Sequence, residues 1–146
     1  MVSSDLGGRA PERDGADHVR TVLFVCEHGA SRSRLAAAWF ALLAPPGWRA
    51  ASAGLEPAAT VSPNAERLVA GTPAEGLLDR GRPTPLTEAL VPAPTLVVAI
   101  DCPLPGAARW DLAAAEPTGA MRDELAARTA ALARALTPAW VAEDDC

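Results

Sequence analysis

The hydrophobic positions of the chain fall into short blocks separated by polar, Pro- and Gly-rich stretches. The first block, residues 21–25 (TVLFV), is continuous rather than alternating and rich in β-branched side chains. That pattern predicts a strand buried on both faces, as in a parallel sheet. Residues 48–53 (WRAASA) predict a second strand stopped by Gly54, and residues 95–100 (TLVVAI) a third. Between them, LAAAWFALLA (residues 35–44) has helix-forming composition and ends at Pro45-Pro46. Residues 62–71 predict a helix with Ser62 as N-cap, Pro63 at its first position and Gly71 near its end. Residues 120–136 predict a last helix, with Met121, Leu125, Leu132 and Leu136 close to one face. The Pro-rich stretch 72–94 allows a short strand near Arg82 and a short helix over 87–91, and residues 101–118 read as a loop. Strands alternating with helices predict an α/β doubly wound sandwich. Residues 1–19 contain few apolar positions and read as a disordered N-terminal extension, leaving 20–146 as a single domain.

Composition narrows the function classes. The chain has 146 residues, 49% hydrophobic and 21% charged, with a net charge of −5. An acidic chain is not a general nucleic-acid binder. No apolar run is long enough to span a membrane, and the N-terminal residues lack a signal-peptide core, so the cytoplasm is the expected location. In that compartment the three cysteines, Cys26, Cys102 and Cys146, are expected as reactive or free thiols rather than a disulfide framework.

The chemistry concentrates in one loop. Glu27, His28, Gly29, Ala30, Ser31, Arg32 and Ser33 follow Cys26 between the first predicted strand and the first predicted helix. Ligands of doubly wound sheets bind beyond the carboxyl ends of the strands. A strand–loop–helix turn there aims backbone N–H groups and the positive end of the helix dipole at one spot, which makes an anion site. A cysteine at that spot is favoured as thiolate, the nucleophilic form. Arg32 adds a planar fork able to clamp two oxygens of a tetrahedral oxyanion. Gly29 gives the backbone freedom to turn, and the Ser31 and Ser33 hydroxyls can donate to the thiolate or to a loop carbonyl. A cysteine after a buried strand can also be a small hydrophobe and no more. His28 reads as a surface or supporting residue before a catalyst, Glu27 as a solvated rim charge, and Trp110 as a loop anchor against the core.

VLFVCEHGASRS resembles the Cys-x5-Arg-Ser loop of the low-molecular-weight protein tyrosine phosphatases and of the thiol-coupled arsenate reductases that share their fold. Ser52-Ala53-Gly54 after the second strand, Pro85-Leu86-Thr87 before a short helix, and the DCPLPGAARWDL run are similar to further family features. The resemblance covers roughly residues 21–136. It implies a four-stranded parallel sheet flanked by helices, a covalent cysteinyl intermediate, and neither metal nor other cofactor. The chain departs from the family pattern at three places. Gly29 stands where the family usually has a loop-supporting Asn. Glu27-His28 replaces smaller or neutral residues. Glu116-Pro117 is the nearest match to the family's Asp-Pro acid loop, without its aromatics.

Completing a mechanism needs an acid for the leaving group. Asp101, Asp111 and Glu116 all follow the last strand. Family position favours Glu116, then Asp111 in its Trp-Asp-Leu run, then Asp101, which also reads as a turn residue. Cys102 is the candidate resolving thiol for arsenate reduction, with Cys146 as a second. The other reading packs Cys102 under the loop, with the strand before it set apart from the first strand by at least one neighbour. The leading expectation is a phosphomonoesterase with Cys26 as nucleophile, Arg32 as clamp and Glu116 or Asp111 as acid. It would act on a phosphorylated protein or a small phosphate ester. The alternatives are an arsenate reductase taking arsenate and a thiol reductant, and a catalytically weak oxyanion-binding module.

Overall fold

A computed structural model describes residues 19–114 and 116–138. Most of the predicted N-terminal extension, and Cys146, lie outside the described residues. Four strands form one parallel sheet: β1 (Arg20–Cys26), β2 (Trp48–Gly54), β3 (Leu96–Ile100) and β4 (Ala108–Trp110), in the order β2-β1-β3-β4. The helices are α1 (Arg32–Leu43), α2 (Pro63–Val69), α3 (Leu86–Ala89) and α4 (Gly119–Leu136), with one 3-10 turn at Glu75–Leu77.

The continuous apolar run of β1 has the burial its pattern requires. Val22, Leu23, Phe24 and Val25 are fully buried because β1 is central and both of its faces are covered. Val22 and Phe24 join Leu35, Phe40, Leu68, Met121 and Leu125 in the larger core, beneath α1, α2 and α4. Leu23 and Val25 join Ala53, Ala99 and Cys102 in the smaller one, beneath α3. Ser62 caps α2 as read from the sequence: its side chain accepts from the Asn64 N–H at 3.1 Å, with Pro63 at the first helical position.

Four expectations need correction. Residues 101–118 are not all loop. They contain β4, whose Ala108 and Arg109 are exposed while Trp110 packs 5.6 Å from the Phe24 ring, so this short edge strand has no apolar run to betray it. Nothing near Arg82 forms a strand. Pro83 and Pro85 lack the N–H a ladder needs, and the backbone only touches the sheet at Gly54↔Pro85. On α4 the buried stripe is Met121, Leu125, Thr129 and Ala133, with Leu132 and Leu136 at its margin. Thr129 is tolerated inside because its hydroxyl donates to the carbonyls of Leu125 (2.9 Å) and Ala126 (3.0 Å). Finally, β3 pairs directly with β1, from Val22↔Leu96 to Val25↔Ala99, so no strand separates the one preceding Cys102 from the one that ends at Cys26.

The order β2-β1-β3 means that the chain leaves β1 first to one side and later to the other. The carboxyl ends of β1 and β3 therefore open onto a topological switch point, where such sheets hold ligands. Cys26 ends β1, and Asp101 follows β3.

Candidate functional site

Residues 27–31 link β1 to α1, and their carbonyls are held from outside. The carbonyls of Cys26, Glu27, His28 and Ala30 accept from the N–H groups of Leu55 (3.1 Å), Glu56 (2.7 Å), Ala58 (3.0 Å) and Ser62 (2.9 Å). The carbonyl of Gly29 accepts from Arg34 Nε at 3.0 Å. In a trans peptide the C=O and the following N–H point in opposite directions. Fixing these carbonyls outward therefore turns the N–H groups of residues 27–31 inward, toward a common centre at the start of α1. Such a nest of donors suits a tetrahedral anion.

Close packing fixes the loop's shape. Gly29 has φ +65°, in the left-handed region that favours glycine. A Cβ on Gly54 would meet the His28 carbonyl carbon at 2.5 Å, which explains the glycine of Ser52-Ala53-Gly54: the loop backbone lies directly on the end of β2.

Cys26 is buried, with Sγ 3.1 Å from Ser33 Oγ in the first turn of α1, where the hydroxyl can donate to a thiolate. Arg32 opens α1, and its Nε lies 3.2 Å from Asp101 Oδ2. Both side chains are about three-tenths exposed (27% and 29%), so the pair faces the cavity rather than the core. The cavity is about 410 Å³, with Cys26 and the loop as its floor and Ala58, Thr60, Val61 and Pro63 on one wall. Asp101 stands on the other wall. It is the described non-glycine residue with positive φ (53°), and its Oδ1 accepts from the Leu112 N–H at 2.8 Å.

The sequence-predicted residues separate here. Glu27, His28, Ala30, Ser31 and Arg32 line the cavity with Cys26. His28 Nδ1 donates to the Glu56 carbonyl at 3.0 Å, which ties the ring to the rim. Asp111 and Glu116 do not line the cavity. Asp111 is paired with Arg109 at 2.8 Å on the exposed edge beyond β4, and Glu116 is exposed beside Pro117, whose carbonyl is held by Arg67. Family position favours both over Asp101, but of the three only Asp101, which follows β3, lines the cavity. Trp110 is a core anchor rather than a cavity wall.

Cys102 is nearly fully buried (2% exposed). Its Sγ lies 3.6 Å from the Val25 carbonyl, among Leu23, Val25 and Ala99 on the α3 face of the sheet. Cys26 continues the alternation of Val22 and Phe24 and turns toward α1. The two thiols thus sit at neighbouring strand ends but on opposite faces. Burial, more than the nearby Cys26, pushes the Cys102 pKa up, which keeps it a thiol. Among the described residues, no group of three or more His, Cys, Asp or Glu side chains is placed to hold a metal ion.

Arg34 and Asp79 carry part of this site and were not singled out from the sequence. Arg34 reads as an exposed charge on a helix, yet it is 1% exposed. The signal was its position: two residues beyond Arg32, on a helix whose other side chains are almost all apolar.

No protein-family model matches the chain, and no curated protein matches it by sequence. Solved structures do. The thioredoxin-dependent arsenate reductase of Corynebacterium glutamicum is similar over 85% of this chain, with 27% identity and a TM-score of 0.64. This chain spans 65% of that protein's length. The arsenate reductase of Archaeoglobus fulgidus is similar over 77% of this chain and 98% of its own, with 29% identity and a TM-score of 0.60. A low-molecular-weight protein tyrosine phosphatase of T. tengcongensis shares the fold over 80% of this chain and 99% of its own, at 20% identity and a TM-score of 0.62. With its four-stranded parallel sheet and a Cys-x5-Arg-Ser loop at the end of its first strand, this chain has the fold of the low-molecular-weight protein tyrosine phosphatases and arsenate reductases.

Proposed function

We propose that this protein is a cysteine-dependent phosphomonoesterase of the low-molecular-weight tyrosine phosphatase type, acting through a phosphocysteine. The observation that carries the reading is that β1 and β3, as direct neighbours, deliver Cys26 and Asp101 to one cavity with Arg32 in contact with Asp101. Cys26 thiolate attacks phosphorus in line with the leaving oxygen, forming the S–P bond as the P–O bond breaks. The inward N–H groups and the Arg32 fork hold the three equatorial oxygens as charge spreads over them. Asp101, in place of Glu116 or Asp111, gives its proton to the leaving oxygen. It then takes a proton from the water that cleaves the phosphocysteine, which returns phosphate and the free thiolate. The substrate is a phosphorylated protein or a small phosphate ester. Among the described residues no helix is long and apolar enough to cross a membrane.

The second reading is arsenate reduction, favoured by the identity of 27% and 29% to two arsenate reductases. Arsenate would condense with Cys26 with loss of water. A second thiol would then attack the Cys26 sulfur, releasing arsenite and leaving a disulfide. Cys102 is buried among Leu23, Val25 and Ala99, and its pKa is raised by that burial, which favours an external thiol reductant as the source of the two electrons. Parallel assays decide between the readings. Hydrolysis of an aryl phosphate without arsenate reduction supports the phosphatase; arsenite release with thioredoxin or a small thiol, and no ester hydrolysis, overturns it.

A further inference from the structure

We infer that Arg34 is a positioning residue for the oxyanion loop: its Nε–H fixes the Gly29–Ala30 peptide so that the Ala30 N–H faces the bound anion. The inference rests on the reading that this loop binds a tetrahedral oxyanion.

Residues 26–30 present their carbonyls outward. Four are held by backbone N–H groups of the 55–62 segment, and Gly29 alone is held by a side chain, Arg34 Nε at 3.0 Å. Gly29 is also the loop residue with positive φ, where the backbone has the widest freedom to rotate. The least constrained peptide of the nest is therefore the one anchored by Arg34. The guanidinium is itself anchored. Its Nη1 donates to the Asp79 carbonyl and lies 3.5 Å from Asp79 Oδ1. Arg34 is 1% exposed, whereas the Asp79 side chain is 70% exposed, so the carboxylate holds the buried cation from the surface side. A buried cation is retained only where hydrogen bonds satisfy it. Here those bonds run from the loop at one end to the stretch after the 3-10 turn at the other.

Side-chain geometry supplies a sharp test. In Lys the fourth side-chain carbon occupies the place of Arg Nε, so Arg34→Lys keeps the charge and removes the donor to Gly29. In Gln the amide nitrogen occupies that place, so Arg34→Gln keeps the donor and removes the charge and the reach to Asp79. A role in folding or in general electrostatics would favour Lys; positioning of the peptide favours Gln.

The test is titration of the full chain with inorganic phosphate, followed by nitrogen–proton correlation NMR, with thermal midpoints recorded without phosphate. In the wild-type protein, phosphate should move the amide resonances of residues 27–31, Ala30 included. Arg34→Lys should weaken phosphate binding about tenfold or more, the size of a lost charge-assisted hydrogen bond. Its Ala30 resonance should stop following the titration while those of Glu27 and His28 still do. Arg34→Gln should lose several-fold less affinity and keep the Ala30 response, even if its melting temperature is the lower of the two. Should Arg34→Lys not fold, the Ala30 response in Arg34→Gln decides alone: retained, it supports the inference; lost, it overturns it. Affinity closer to wild type in Arg34→Lys than in Arg34→Gln, or equal losses in both, also overturns it. Failure of the wild-type protein to bind phosphate removes the reading of the site, and this inference with it.

Discussion

Asp101 Oδ2 lies 3.2 Å from Arg32 Nε, joining the residue after β3 to the first residue of α1 across the cavity above Cys26. The backbone accepts a left-handed φ of 53° to place this carboxylate, and the Leu112 N–H holds its other oxygen. A non-glycine residue in that region is costly and persists where its surroundings over-determine it. If Asp101 is the proton donor, Asp101→Asn should lower kcat/KM, which reports the step that expels the leaving group, for aryl phosphates by ~10² or more. The loss should be larger for phenyl phosphate than for a nitrophenyl ester, whose leaving oxygen needs less help from a proton. Asp111→Asn and Glu116→Gln should change kcat/KM little. Equal losses across leaving groups would make Asp101 a partner of Arg32 and not an acid.

Cys102 should behave as a bystander. Burial keeps it protonated and places it on the opposite face from Cys26. Iodoacetamide at neutral pH should label Cys26 well before Cys102, and phosphate should protect Cys26 alone. Cys102→Ser should leave ester hydrolysis nearly unchanged. A Cys26–Cys102 disulfide after arsenate treatment, detected by mass spectrometry, would show that the two strand ends rearrange and would favour the reductase.

Gly54→Ala tests the packing of the loop on β2. The new Cβ would stand 2.5 Å from the His28 carbonyl carbon and 2.6 Å from the Gly29 nitrogen, and both are backbone atoms. Relief requires moving the loop. Stability should fall by about 1–3 kcal/mol, as for other overpacked sites, and phosphate affinity should fall with it. Denaturant unfolding and phosphate titration of the same variant check both.

A pH effect follows from Glu124. Its carboxylate accepts from the N–H groups of Ala113 (2.9 Å) and Ala114 (3.3 Å) and from Arg128 Nε (3.1 Å). The Ala113 N–H is the main cause that holds its pKa below the ordinary glutamate value. A depressed folded-state pKa gives stability that is present above the ordinary value and lost as pH falls through the folded one. Glu124→Gln should therefore cost roughly 0.5–1.5 kcal/mol at neutral pH, and the gap to wild type should close under acid conditions. Unfolding curves recorded across that range check the sign.

The parts of this architecture that were legible in the sequence are those written in local pattern. The apolar block of β1, the Ser62-Pro63 start of α2 and the compact Cys26–Arg32 spacing each depend on residues adjacent in the chain. What was not legible depends on partners far away. β4 is three residues long, and only Trp110 turns inward, onto Phe24. The choice of Asp101 over Asp111 and Glu116 depends on β3 lying directly beside β1, which strand composition does not encode. Arg34 is legible only once Gly29 and Asp79 are seen at either end of its side chain.

The central claim is that Cys26 is the nucleophile that receives the phosphoryl group. Its most direct test is rapid acid quenching of the protein during turnover of an aryl phosphate, followed by peptide mass spectrometry. Asp101→Asn should be included, because loss of the base that activates water should slow hydrolysis of the intermediate and let it accumulate. One phosphoryl group is expected on the peptide carrying Cys26, more of it in Asp101→Asn than in wild type, and none in Cys26→Ala. Turnover without any Cys26 adduct, or Cys26→Ser hydrolysing the ester at the wild-type rate, would contradict it.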